Sequence, residues 1–242
     1  LYEEVEEELG LTRQFQNPLF DTFKQLKLEK DYPKTSDLEE LRQTALVEID
    51  TWNEDEYKFL FISPLFNIVP FKNPHFIPVK KLFAKKIVWK VGDILNLANF
   101  IPSNFRKPII FGYKIFAQRP MSVKYANDTQ KTEGLVEFML AKGKQTPKKP
   151  HFFLHEYKPE KRRENDSLGQ LLIAMVASQK INQDNMPVYG IYVNGRNWFF
   201  VILEDKNYAV SNAYNITDSD IYQLFAILQY IRNLMEDIYK NV

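Results

Sequence analysis

Cysteine is absent from the 242-residue sequence, so it can build no disulfide framework, thiolate zinc site, cysteine nucleophile or iron–sulfur cluster. This allows a reducing compartment without requiring one. Glycine is scarce at 8 residues, and none belongs to a phosphate-cradling loop, which speaks against ATP use by this chain. No nucleophile elbow supports Ser-His-Asp chemistry. Of the 3 histidines, His75 is isolated. His151 and His155 lack a third ligand at a recognisable spacing, so structural or surface roles are expected for them. Long apolar runs are also missing: Phe59 to Phe71 and Leu171 to Ala177 are short or interrupted, below the roughly 18 residues of a membrane span. The acidic start is the opposite of a secretory or mitochondrial leader, and the expectation is a cytoplasmic protein with no membrane association.

Acidic and basic residues nearly cancel, 31 against 32, yet they are sorted along the chain. Residues 1–56 hold 16 acidic and 6 basic side chains, residues 57–163 hold 6 and 21, and residues 164–242 hold 9 and 5. A middle segment this basic raises a positive potential that attracts a polyanion, of which nucleic acid is the commonest. The same charge also fits a solvated lysine-rich surface balanced by the acidic head. With 45% hydrophobic residues there is enough apolar material for one domain, or one domain with a small appendage.

Helical patterns run over Glu3 to Glu8, Leu19 to Lys30 and Ser36 to Ile49, the last opened by Ser36 or Asp37. Asn53 precedes a helix from Glu54 towards Pro70, with Pro64 marking a kink or early stop. Lys86 to Val91 and Ile109 to Ala117 read as strands, and Asp93 to Asn99 as a short helix. Gly134 to Ala141 and His151 to Lys158 form an antiparallel hairpin around a polar loop. A helix follows from about Asp166 to Lys180. Val188 to Val193 and Arg196 to Leu203 flank Asn194-Gly195, a type I′ turn signal. A last helix spans Asp218 to Ile238. The order implies an α/β class, bordering on α+β, with a mixed β-sheet flanked by helices. Residues 1–51 are expected as a helical acidic extension packed on a core domain of residues 52–242.

The chemistry concentrates on the first hairpin. Strand alternation puts Glu156 and Lys158 on one face, and Phe153, His155 and Tyr157 on the other. A turn centred in the loop pairs Glu137 with Glu156, their Cβ atoms about 4.5–5.5 Å apart. Two carboxylates so placed repel unless a cation intervenes, and a hard divalent ion such as Mg2+ suits such oxygen ligands. A bare Glu-x-Lys is common by chance, and a solvent-facing ion pair beside an ordinary Glu137 explains it equally without chemistry.

These residues resemble the PD-(D/E)xK nuclease superfamily, whose pattern is an acidic residue on one strand, then (Asp or Glu)-x-Lys on the next, then a helix that often bears Gln. The matching pieces are Gly134-Leu135-Val136-Glu137-Phe138, Glu156-Tyr157-Lys158 and Gln170. Glu54, Lys58, Ile62 and Pro64, with the segment Asn194-Gly195-Arg196-Asn197-Trp198, are similar to parts of the N-terminal nuclease domain of type I restriction motor subunits. The likeness covers roughly residues 52–200. It departs in having Glu137 where Asp is commoner and Val136 where proline is.

The resemblance implies a restriction-endonuclease-like core and metal-dependent hydrolysis of DNA by activated water, in restriction or defence. It implies that Glu137, Glu156 and the Tyr157 carbonyl bind Mg2+, or Mn2+ in its place, with Glu54 adding a carboxylate through water and Glu56 a weaker candidate. Lys158 would activate or position the water and stabilise charge on phosphate. Gln170 would orient the water or hold Lys158, although Ser167-x-x-Gln170 also fits a capping box. Lys142, Lys144, Lys148 and Lys149 at the hairpin tip, with Lys161, Arg162 and Arg163 after it, are placed for phosphate contact. DNA is the expected partner, in a homodimer or a larger restriction-type assembly. Two other readings remain: a nuclease-like fold kept as a nucleic-acid-binding or protein-interaction module, and a plain α/β protein whose carboxylates never meet.

Overall fold

The computed structural model describes residues 2–28, 35–69, 71, 114–124, 131–143, 146–158 and 166–241. The expected strand Lys86 to Val91 and helix Asp93 to Asn99 lie outside these residues. Within them the fold is α/β: a mixed eight-stranded sheet with helices on both faces.

In chain order the elements begin with α1 (Tyr2–Leu9), β1 (Thr12–Gln14), α2 (Pro18–Gln25) and α3 (Thr35–Glu48). After a 3-10 turn (Ile49–Thr51) come α4 (Glu54–Tyr57), a π turn (Lys58–Ile62) and α5 (Ser63–Ile68). Next are β2 (Lys114–Lys124), β3 (Lys131–Lys142), β4 (Lys148–Lys158) and α6 (Ser167–Asn182). The chain closes with β5 (Val188–Asn194), β6 (Asn197–Glu204), β7 (Asn207–Val210), β8 (Tyr214–Asn215) and α7 (Asp220–Asn241). The strand order is β1-β7-β6-β5-β4-β3-β2, with β8 also on β6. The pairs β4–β5 and β1–β7 are parallel and the rest antiparallel. The two parallel strands β4 and β5 are joined through α6, a βαβ unit inside an otherwise hairpin-built sheet.

Each sheet face has its own core. On one side α6 is packed with Leu171, Leu172 and Met175 against Phe153, Val188 and Val201, and Leu9 of the head joins them. A Cβ on Gly190 would lie 2.9 Å from Leu171 Cδ1, so glycine is what lets α6 approach β5. On the other side Leu224, Leu228 and Ile231 of α7 pack with Leu140, Leu154, Ile191 and Phe200, and Phe23, Leu38 and Ala45 of the head complete that layer. The acidic head is therefore not only helical: β1 extends the sheet on β7, with Thr12 paired to Asn207.

Several local expectations shift by a residue or more. Helix α2 starts where Asn17 Oδ1 accepts from Leu19 N (2.9 Å) and ends before Leu26, whose backbone is extended, short of the expected Lys30. Helix α6 is capped by Asp166, whose Oδ1 accepts from Gly169 N (3.0 Å), so Ser167 is inside the helix and the expected Ser167–Gln170 capping box is not what starts it. In the β5–β6 hairpin Asn194 pairs with Asn197, which makes Gly195-Arg196 the central pair. Of these two only Gly195 has positive φ (57°), the type II′ pattern, in place of the expected type I′ turn.

Candidate acidic site on strand β3

The segment carrying Glu54 and Lys58 is fixed before either charge is considered. Asn53 Oδ1 accepts from Glu56 N (3.0 Å) while Glu56 Oε2 accepts from Asn53 N (2.7 Å), a complete capping box that starts α4. Glu56, a weaker candidate ligand from sequence, is thus used in the cap. Pro64 lacks an N–H and its ring would crowd the carbonyl four residues back. The chain widens into the π turn ahead of it, with Ser63 N donating to Lys58 O. Such turns are rare and often sit at functional sites. Tyr57 is locked from both sides: its ring stacks on Phe61 (5.5 Å between centroids) and its hydroxyl accepts from Trp198 Nε1 (2.8 Å) on β6. Arg196 in the β5–β6 turn adds an ion pair to Asp50 (2.7 Å).

This scaffold aims Lys58 at β3. Lys58 Nζ lies 2.5 Å from Glu54 Oε1 and 2.7 Å from Glu137 Oε2, with Asp55 Oδ1 at 3.9 Å. The Lys58 and Glu137 side chains keep only 11% and 7% of their exposure, and Glu54 keeps 43%. At 2.7 Å the Lys58 ammonium holds Glu137 Oε2 by charge and close contact. Burial, the largest single influence on Lys58, pulls its pKa down, but Glu137 and Glu54 together outweigh it and the pKa lies above the ordinary lysine value. The lysine is therefore charged at neutral pH.

Glu137 reaches this side of the sheet because strand alternation breaks around it. Val136 and Met139 both belong to the α6-side core, whereas Leu140 and partly buried Phe138 pack on the opposite layer, where Tyr57 and Phe61 sit. Glu137 also stands just beyond the last described β3–β4 pair, Phe138 with Leu154.

That pair corrects the sequence-based register. Pairing Glu137 with Glu156 would have put Phe138 across from His155, one residue further along β4. Near the hairpin tip the turn is centred earlier than expected, with Lys142 paired to Lys148; from there to the Leu140–Phe152 pair β4 spends two more residues than β3, which makes up all but one residue of the difference. Lys149, with φ of 50°, is among them. A second irregularity falls at Glu156 itself: His155 pairs with Tyr192 and Tyr157 with Val193, leaving Glu156 as the extra residue against β5. Bulges of this kind re-aim side chains and are frequent beside active sites. Lys158 follows in register with Asn194.

The structure thus brings Glu54 and Glu137 together on one cation and places the backbone of Glu156, Tyr157 and Lys158 on the adjoining strand. The side chains of residues 155–158 are outside the described set. Gln170 lies in the first turn of α6, half-buried. Of the basic residues, Lys148 is exposed, Lys142 is half-buried, and Lys149 is 3.6 Å from Asp184. Lys144, Lys161, Arg162 and Arg163 lie outside the described residues. Among the described residues no three acidic or imidazole groups converge as a metal site. A divalent ion fits the donors that are present in chemistry: a buried carboxylate, a second carboxylate across the same cation, and a strand carrying further backbone oxygen donors alongside.

Two features were not visible in the sequence. Lys58 was noticed only for its spacing, because its partner is far away along the chain. His151, expected to be structural or on the surface, is completely buried in a polar network: its N donates to Tyr239 OH (3.2 Å) and its Nε2 lies 3.2 Å from Asp184 Oδ2. Tyr239 OH in turn donates to Leu140 O (2.6 Å). Two grooves of about 390 Å³ each flank α2, and none of the expected site residues lines them. Among the described residues no helix is long and apolar enough to cross a membrane.

Compared with known proteins, the chain matches no family model, and no curated protein is recognisably similar to it.

Proposed function

We propose that the protein is a metal-dependent nuclease of the PD-(D/E)xK kind, hydrolysing DNA phosphodiester bonds by attack of an activated water. The observation that carries this reading is Glu137: a carboxylate buried in the middle of β3, sharing one cation with Glu54, beside the strand that bears Glu156, Tyr157 and Lys158. Burying a carboxylate is costly unless a cation accompanies it, and a site that does so is suited to cation binding.

In this reading Glu137 and Glu156, with the Tyr157 carbonyl, hold Mg2+ or Mn2+, and Glu54 contributes from the exposed side. The bound ion supplies Lewis acidity at a phosphate oxygen and eases deprotonation of water. Lys158 positions that water and offsets negative charge developing on the phosphate. Gln170, at the start of α6, orients the water or the Lys158 ammonium. The lysines of the β3–β4 tip hold the flanking backbone phosphates, and DNA is the polyanion that the basic middle of the chain attracts. The acidic head packed on residues 52–242 as nuclease core, and assembly as a homodimer or within a larger restriction-type complex in the cytoplasm, belong to the same proposal.

A second reading has its own observation. Lys58 already neutralises Glu54 and Glu137, which is what a nuclease-like fold kept only for binding nucleic acid or protein would show. Plasmid DNA incubated with the purified chain separates the two. Nicking with Mg2+ or Mn2+, stopped by EDTA and lowered about 10²- to 10⁴-fold by Lys158→Ala, supports the enzyme. DNA retention without nicking by the wild type supports the binding module. Full activity in Lys158→Ala removes that residue from the mechanism.

A further inference from the structure

The ammonium of Lys58 stands between the two carboxylates that the proposed function assigns to a divalent ion, 2.5 Å from Glu54 and 2.7 Å from Glu137. We propose that Lys58 is a resident counter-ion, occupying the cation position of this acidic site until a divalent metal displaces it. The inference rests on the proposed function, since it takes Glu54 and Glu137 as metal carboxylates.

Three observations support it. First, Glu137 is buried, and among the described residues Lys58 is the cation within ion-pair distance of both carboxylates, standing where an ion bridging them would stand. Second, Lys58 reaches Glu137 Oε2 through one contact at 2.7 Å, which an incoming cation can replace. Third, the lysine has somewhere to go. Asp55 Oδ1, on the exposed side of α4 with 80% of its side-chain exposure retained, is 3.9 Å from Nζ. A lysine is a point charge on a flexible four-carbon stem and can exchange partners without moving the backbone. Tyr57, tied to Trp198, keeps the backbone next to Lys58 in place.

The consequence is a competition: metal affinity is lowered by the work of expelling Lys58, and removing its charge raises it. Mn2+ binding to the full chain, followed by the electron paramagnetic resonance signal of free Mn2+, tests this in the wild type, Lys58→Met, Lys58→Gln and Glu137→Gln. The expected order is loss of binding in Glu137→Gln, and binding roughly tenfold tighter than wild type in both lysine variants, the scale set by deleting one close unit charge. Lys58→Gln keeps a donor for Glu137 and so separates loss of charge from loss of contact. Affinity equal to or weaker than wild type in both lysine variants overturns the counter-ion role while leaving the metal site standing. Absence of Mn2+ binding in the wild type and in both lysine variants overturns the nuclease reading together with it. If Lys58→Met does not fold in metal-free buffer, its thermal transition decides: recovery of cooperative unfolding on adding Mn2+ supports the proposal, and a chain that stays unfolded contradicts it.

Discussion

Trp198 donates its indole N–H to the Tyr57 hydroxyl at 2.8 Å, and both residues are completely buried. The bond ties β6 to α4 one residue before Lys58, so the position of the acidic cluster depends on a contact made on the other side of the ring system. Tyr57→Phe leaves the indole N–H without an acceptor in the core. The expected cost is about 1–3 kcal/mol, the penalty for an unsatisfied buried donor. A urea unfolding midpoint that does not move would show that the bond holds nothing in place.

Glu137→Gln tests the cluster itself. An amide keeps the shape and removes the charge, leaving Lys58 with the half-exposed Glu54 at close range and the exposed Asp55 at 3.9 Å. Because that partner remains, the expected loss is about 1–3 kcal/mol, below the roughly 3–5 kcal/mol of a buried charge left wholly unpaired. Nicking in Mg2+ should fall by about 10² or more. A variant that is less stable but cleaves normally would make Glu137 a structural residue.

His151 gives the protein an acid-sensitive spot away from the site. Burial, more than any other influence, lowers its pKa, outweighing the attraction of Asp184, while Lys149 beside Asp184 lowers it further. The folded chain therefore holds neutral imidazole where the unfolded chain, with the ordinary value near 6.5, takes up a proton. Stability contributed here is intact above about pH 6.5 and is lost as the pH falls below it, at up to about 1.4 kcal/mol per pH unit. Denaturant melts at pH 7.5 and 5.5 should show a steeper loss for the wild type than for His151→Gln. Parallel losses would assign the acid sensitivity to carboxylates alone.

What could be read from the sequence follows a physical division. Helices α6 and α7 and the β3–β4 and β5–β6 hairpins were legible, because long apolar stripes and turn residues encode them locally. Strand β1 was not: Thr12, Arg13 and Gln14 are all exposed, so no alternation marks them, and only backbone pairing with β7 makes them a strand. The register of Glu137 differs by one residue from the alternation-based one because neither the turn centre, set by Lys142 pairing with Lys148, nor the extra residues around Lys149 leave a mark in a pattern of alternating side chains. Glu54 and Glu137 were singled out as members of one site from a resemblance, while the cation between them was not foreseen. Lys58 meets Glu137 only after α4 docks on the sheet through Tyr57, Phe61 and Trp198, a long-range event that no local spacing encodes.

The most direct measurement is anomalous diffraction from crystals soaked in Mn2+. The expected result is one Mn2+ peak within coordinating distance of a Glu137 oxygen, bounded by the strand segment Glu156–Tyr157, with the Lys58 ammonium moved away from Glu137. Mn2+ bound elsewhere, with the Lys58–Glu137 pair undisturbed at saturating metal, would contradict a metal-dependent site on β3 at Glu137.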